Sequence, residues 1–205
     1  MKTNHLNSRI EFILPQAAPA DLHHLFDAAD AAMKANLSPG PTLFGNQVRA
    51  LAHNPALLQA LTAVYQAFAE TQSVERRLVE LGILIVSRVN ACQYCFQHHT
   101  PLAHDSGLTT EQLQAIQDND WEGKRPLWSD SEWLVIQYAK QLTLAPYKIS
   151  DQFFDKLKAQ FTDRQIVDLT MRLALTAAWN KFNDALRLDT ESPVRHAFAN
   201  LELGA

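Results

Sequence analysis

Val74 to Thr110 reads VERRLVELGILIVSRVNACQYCFQHHTPLAHDSGLTT, and the rest of the chain is organised around this stretch. Leu78, Leu81, Gly82, Ile85 and Val89 recur at helical spacing, which predicts a helix from Val74 to about Val89 with these residues as its buried stripe. Glu75, Arg76 and Arg77 occupy its first turn. A second helix is predicted over Cys92 to Asp105, closed by Gly107, a residue that takes the left-handed C-cap conformation without a Cβ clash. The only two cysteines of the chain, Cys92 and Cys95, open that second helix as CxxC, His99 follows four residues on, and Glu80 lies twelve residues before Cys92.

The Asn90-Ala91 junction governs what these residues can do together. In one unbroken helix Glu80 and Cys95 would stand about 22 Å apart, at about 1.5 Å per residue, and could not cooperate. If the chain turns back at Asn90-Ala91, Glu80 and His99 lie at similar depth in two antiparallel helices and face each other. Within the second helix, residues three and four apart share a face, so Cys92 meets Cys95 and His99 lies over Cys95. Free N–H groups at a helix start stabilise a thiolate, and Asn90 is the expected cap. A carboxylate that orients an imidazole, which in turn takes a thiol proton, is general-base logic applied to a nucleophile.

Other readings of the same residues exist. Buried free cysteines are common core residues. A zinc site from Cys92, Cys95, His99 and a fourth ligand such as His98 is the metal alternative, although structural zinc usually draws on two knuckles and no second Cys/His pair is present. His98 lies roughly 100° round the helix from His99, so it is expected in solvent or in packing rather than at the sulfurs. His23, His24 and His104 read as surface residues; Trp121, Trp128, Trp133 and Trp179 read as core or interface.

Outward from this stretch the chain reads as helical scaffold. Leu22, Leu25, Phe26, Ala29 and Met33 predict a helix over Ala20 to Asn36, stopped by Ser38 to Pro41, and Phe44 to His53 suggests a short helix. Asn54-Pro55 starts the next helix. Thr109, Ser129 and Thr162, each followed three residues later by Gln or Glu, are capping boxes, and Ser150 is a further cap. The last long helix is expected to reach about Leu188, with a short one from Glu191. No stretch alternates as a strand does, and only 6 Gly and 9 Pro punctuate 205 residues, so the fold class is all-α.

Composition excludes several functions. Hydrophobic residues make up 47% and charged residues 20%, which is globular and not disordered. A net charge of −4 gives no electrostatic reason to expect nucleic acid or an anionic membrane as partner. No apolar run is long enough for a membrane span, and that of MKTNHLNSRIEFILPQ is too short for a signal peptide, so a cytoplasmic protein is expected. In that compartment a CxxC pair is more often redox-active or metal-binding than a structural disulfide.

An internal echo accompanies the motif. A shift of 88 residues lays IVDLTMRLALTAAW (Ile166 to Trp179) over LVELGILIVSRVNA (Leu78 to Ala91). Glu80 then meets Asp168, while Cys92 and Cys95 fall on Asn180 and Asn183. Two related helical units would explain this; so would the general likeness of buried helices.

Glu80, Cys92-x-x-Cys95 and His99 at these spacings resemble the signature of the alkylhydroperoxidase D-like branch of the carboxymuconolactone decarboxylase family. RALAHNPALLQAL, HHTPLAHDSGLTTEQL and IVDLTMRLALTAAWNKFNDAL extend the resemblance over roughly residues 40–188. It implies one all-helical domain, with 1–40 as an extension, 41–188 as the family-like core and 189–205 as a tail. It further implies trimers or hexamers and no flavin, haem or metal. The activity implied is a thiol-dependent peroxidase or disulfide reductase in which Cys95 attacks peroxide, a more exposed Cys92 resolves the sulfenic acid into a disulfide, and His99 and Glu80 relay protons. An external dithiol or thioredoxin-like donor would re-reduce the pair. Where the best-studied branch has histidine between the cysteines this chain has Tyr94, an accessory donor whose pKa near 10 makes it a poor base near neutrality. The alternatives are a decarboxylase-like lyase or isomerase, and a non-catalytic redox-sensing or zinc-stabilised oligomer.

Overall fold

A computed structural model describes residues 7–35, 45–71 and 73–203, the side chains of residues 32–35 excepted. Met33, Asn36, the Ser38 to Pro41 stop and Phe44 lie outside the described residues or side chains. Ten α-helices and no strand occur among the described residues: α1 His23–Ala35, α2 Gly45–Leu51, α3 Pro55–Thr71, α4 Arg76–Val89, α5 Gln93–Asp105, α6 Thr110–Gln117, α7 Asp130–Leu144, α8 Asp151–Gln160, α9 Asp163–Leu186 and α10 Ser192–Ala199. None is long and apolar enough to cross a membrane.

Local signals account for most boundaries. Thr109, Ser129 and Thr162 form complete capping boxes with Gln112, Glu132 and Gln165, and Ser150 accepts from the Phe153 N–H. Asn54 Oδ1 accepts from the Leu57 N–H at the start of α3. Gly107, at φ +103°, closes α5: its N–H donates to the His104 carbonyl and that of Leu108 to the Ala103 carbonyl.

α4 is the axis of the main core, with α5, α6, α7 and α9 packed round it. A single buried stripe is therefore too narrow an expectation. Ile83, Leu84 and Val86 are fully buried as well, whereas Val89 is only half-buried near the helix end. A methyl on Gly82 would stand 2.7 Å from Leu173 Cδ2 and 3.3 Å from Val135 Cγ1, so the missing side chain lets α4 approach α7 and α9 closely. A second, smaller core joins Leu25, Phe26 and Ala29 of α1 to Val48 and Leu51 of α2 and Leu58 of α3.

Arg77 ties the top of α4 to its neighbours. Its Nε donates to Glu132 Oε1 at 2.7 Å, its Nη2 to Gln112 Oε1 at 2.9 Å, and its Nη1 to the Gly107 carbonyl. Burial raises the Glu132 carboxyl, but hydrogen bonds from Ser129 and Arg77 outweigh it and the net shift is downward. The Arg77→Ala change is expected to lower the unfolding free energy by roughly 1.5–3 kcal/mol, the usual worth of hydrogen bonds to charged groups. Glu132 is depressed in the fold, so its contribution is present above the unfolded value of about 4.3 and is lost as pH falls through its lower folded value. Urea titrations of both proteins at pH 7 and pH 3 check this: the two curves converge in acid.

Candidate active site

The chain does turn back at Asn90-Ala91. Ala91 sits in the left-handed region at φ +57°; its N–H donates to the Arg88 carbonyl and that of Cys92 to the Ser87 carbonyl, which together seal the end of α4. Cys92 is at once the residue that completes this closure and the N-cap of α5. Asn90 is thus the C-cap of α4 and not the cap of α5, because the turn consumes it; its side chain donates to Asn180 Oδ1 at 2.9 Å.

The hairpin delivers the predicted pairing. His99 Nδ1 lies 2.7 Å from Glu80 Oε2, with both residues buried. Burial pulls the His99 imidazole below the ordinary histidine range, the Glu80 carboxylate opposes this by charge and hydrogen bond, and the Arg172 cation adds to the lowering. A neutral imidazole at neutral pH, oriented by a carboxylate, is a base in its working form. It stands one turn beyond Cys95 on the same face of α5, with Cβ atoms about 5–6 Å apart by helix geometry.

Cys92 and Cys95 are free thiols, and both are buried, at 1% and 3% exposure. The expectation of a more exposed Cys92 is corrected here. Cys92 and Cys95 cluster with Ala50, Tyr94 and Leu188, and Ile10, Phe12, Phe182 and Leu186 pack against that cluster. The N-terminal segment carrying Ile10 and Phe12 is fixed by backbone bonds from Arg9 to Leu186 and from Ile13 to Arg49. The stretch expected to be an N-terminal extension therefore helps to cover the sulfurs.

The two sulfurs differ in environment. A hydrogen bond from Cys92 lowers the Cys95 thiol, and the side-chain amides of Asn180 and Asn183 lower it further against the cost of burial. Asn183 Nδ2 lies 3.2 Å from Cys95 Sγ. Cys92 is pushed strongly up by acting as donor to Cys95, by burial and by a hydrogen bond to Asp184. These surroundings favour the thiolate at Cys95 over Cys92.

Tyr94 and His98 belong to a different network. The Tyr94 phenol donates to Glu191 Oε1 at 3.1 Å, and burial holds it well above the ordinary tyrosine range, so it stays protonated. His98, fully buried, places Nε2 2.7 Å from Glu191 Oε2 and Nδ1 2.6 Å from the Tyr94 carbonyl. Glu191 also accepts from the Asn46 N–H at 2.5 Å. Its carboxyl is raised by burial but lowered more by the His98 contact, for a net downward shift. The phenol of Tyr94, expected as an accessory donor, is engaged in this tie between α2, α5 and the start of α10, while Tyr94 packs in the sulfur cluster. The same tie turns His98 away from the sulfurs, where the zinc alternative required it.

Sequence reasoning missed Asn180, Asn183, Tyr65 and Glu191. The first two carried a signal, because the 88-residue echo sets them against Cys92 and Cys95. The echoing stretches do pack together as α4 and α9, but α9 continues unbroken where α4 stops. Tyr65 on α3 accepts from Trp179 Nε1 and lies under the Arg172 guanidinium, 4.8 Å from the ring centroid. Burial raises its phenol, against Arg172 and Trp179.

A cleft of about 540 Å³ opens beside the sulfur cluster. Ile10, Ala50, Leu57, Phe182 and Leu186 form its apolar walls, and Glu11, His53 and Asn54 its polar part. Ala50 belongs to the sulfur cluster itself, and Ile10, Phe182 and Leu186 pack on it.

Comparison with known proteins agrees with this architecture. Residues 55–120 match the carboxymuconolactone decarboxylase family. The uncharacterized protein YdfG of Bacillus subtilis (strain 168) is 24% identical over 122 residues, 59% of this chain and 81% of that protein. The crystal structure of a cysteine-to-alanine variant of the debrominase Bmp8 with 2,3,4-tribromopyrrole superposes with a TM-score of 0.74 at 16% identity, over 95% of this chain and all (100%) of that one. A protein of unknown function from Agrobacterium tumefaciens, provisionally assigned to AhpD antioxidant defence, superposes with a TM-score of 0.61 at 20% identity, over 69% of this chain and 95% of that one. The chain is thus similar to the carboxymuconolactone decarboxylase family over residues 55–120, and it shares its all-helical fold with these solved structures.

Proposed function

We propose that the protein is a thiol-dependent peroxidase that works through Cys95, Cys92, His99 and Glu80. The observation that carries this reading is the buried Glu80–His99 contact of 2.7 Å, one helical turn from a sulfur whose surroundings favour the thiolate. His99 takes the Cys95 proton. The thiolate attacks the terminal oxygen of a hydroperoxide: an S–O bond forms, the O–O bond breaks, and the departing alkoxide recovers a proton from the imidazolium. Cys92 then attacks the sulfenic sulfur, the S–S bond forms and the oxygen leaves as water. Two thiols and one hydroperoxide become one disulfide, one alcohol and one water, and an external dithiol or thioredoxin-like protein restores the thiols. The apolar cleft suits an organic hydroperoxide, and its Phe182 and Leu186 walls pack on the cluster that holds the sulfurs.

The test is steady-state turnover of an organic hydroperoxide with a dithiol donor, accompanied by mass spectrometry for an intrachain disulfide. Robust turnover and loss of two thiols per chain support the reading; a chain whose thiols survive excess hydroperoxide defeats it.

A second reading follows from the likeness to a debrominase over nearly the whole chain. A dithiol can replace carbon–bromine by carbon–hydrogen, releasing bromide as the two thiols become a disulfide. Bromide release from 2,3,4-tribromopyrrole under the same conditions, without hydroperoxide turnover, would select it.

The working unit is a homo-oligomer, trimer or hexamer. Val167 and Met171, four residues apart on one face of α9, are 64% and 50% exposed, an unusual position for large apolar side chains on a lone chain. Introducing Glu at both positions is expected to shift the protein to monomers in light scattering behind size-exclusion chromatography, while the wild type runs as the larger species.

A further inference from the structure

We infer that Asn183 is a two-sided active-site residue: its amide N–H holds the Cys95 sulfur, and its carbonyl oxygen receives the O–H of the incoming hydroperoxide. This rests on the peroxidase reading above and identifies which part of the substrate is recognised beside the sulfur. Asn183 is 1% exposed, Nδ2 lies 3.2 Å from Cys95 Sγ, and Oδ1 is buried with no hydrogen-bond partner among the described residues. A buried carbonyl oxygen left without a donor is unfavourable and seldom tolerated for packing alone. Beside a nucleophilic sulfur, a ligand O–H is the group that relieves it. Leucine, with the same branched skeleton, would avoid the orphaned oxygen, so the polar side chain has a use.

The chemistry suits a hydroperoxide. Its terminal oxygen carries the only O–H, and that oxygen is the one the sulfur attacks. A hydrogen bond from this O–H to Asn183 Oδ1 turns the terminal oxygen toward Cys95. Once the S–O bond has formed, the sulfenic O–H keeps the same acceptor. The amide of Asn180, 1% exposed and tied to Asn90 and Ser87, supports the same sulfur from the preceding turn of α9. Two amides thus stand on α9 where the echo of the CxxC pair falls, and they replace the thiols there by donors that face those thiols.

The experiment compares wild type with Asn183→Leu and, in case the apolar change impairs folding, the isosteric Asn183→Asp. The pH dependence of iodoacetamide alkylation is read on Cys95 in a Cys92→Ser background, where the hydroxyl keeps a donor beside the sulfur. Both variants are expected to alkylate about tenfold more slowly at pH 7 and to need about one pH unit more for half-maximal rate, with Asn183→Asp the slower because a carboxylate repels the thiolate. In the otherwise intact chain, kcat/KM for tert-butyl hydroperoxide is expected to fall at least a further tenfold beyond what the lost thiolate explains in Asn183→Leu, and no further in Asn183→Asp, which keeps an acceptor oxygen. An unchanged alkylation profile in both variants overturns the holding role. A peroxidase loss in Asn183→Leu fully matched by its alkylation loss overturns the accepting role. A wild type without any hydroperoxide turnover removes the peroxidase reading and the accepting role together, while the alkylation profile still reads the holding role by itself.

Discussion

Cys95→Ser is expected to reduce kcat/KM for an organic hydroperoxide by at least about a thousandfold, because a serine hydroxyl does not ionise in the range where a thiol does. Cys92→Ser should behave differently. Cys95 remains under the influence of Asn183 and His99, so one equivalent of hydroperoxide is still consumed and a sulfenic acid accumulates, which dimedone traps. Catalytic turnover then stops for want of a resolving thiol. The pair of variants tests the order of events and not just the need for sulfur. It follows from the surroundings of the two sulfurs, because the Asn183 amide donates to Cys95 and favours the thiolate there. A Cys95→Ser protein that turns over like wild type would end the proposal. A Cys92→Ser protein that fails to consume even one equivalent would reverse the roles of the two sulfurs.

Glu80→Gln should cost about 10²–10⁴-fold in kcat/KM, the usual span for a general acid–base contribution. Glutamine keeps a carbonyl oxygen near His99 Nδ1 and so keeps some orientation; what it removes is charge. In the wild type, burial lowers His99 and the Glu80 carboxylate partly opposes that shift. Without the carboxylate His99 falls further, so the acid limb of the pH–rate profile moves to lower pH while the plateau drops, because a weaker base accepts the thiol proton less readily. Glu80→Ala should show the larger loss, since it leaves His99 Nδ1 without its partner in a buried site. A Glu80→Gln protein with an unchanged acid limb would mean that the carboxylate positions α4 against α5 and takes no part in proton transfer. Circular dichroism and thermal unfolding of the same samples separate that case from simple loss of fold.

Much of this site was legible before any coordinates. Glu80, Cys92, Cys95 and His99 could be chosen because helical periodicity fixed which residues share a face, and because the Asn90-Ala91 junction admitted only two geometries, one of which keeps the acid far from the sulfur. The structure takes the other, through a non-glycine residue in the left-handed region at Ala91. The helix boundaries followed from signals only three or four residues long, such as the Thr109–Gln112, Ser129–Glu132 and Thr162–Gln165 boxes. Where expectation failed, the missing term was a neighbour from far along the chain. Asn90 was expected to cap α5 but is drawn to Asn180, and the Tyr94 phenol, expected as an accessory donor, is engaged by Glu191.

The sequence by itself determined that the chain is helical, where most helices begin and end, and that an acid, an imidazole and two sulfurs could share a face, because hydrogen bonding and periodicity within a helix act over a few residues. Only the tertiary structure decided that Cys92 is covered by the group holding Leu188, Ile10 and Phe12, that Asn183 stands against Cys95, and that Glu191 engages His98 and the Tyr94 phenol. Those contacts join residues about ninety positions apart. They depend on how closely α9 and the tail of the chain pack against α4 and α5, and no short window of sequence records that distance.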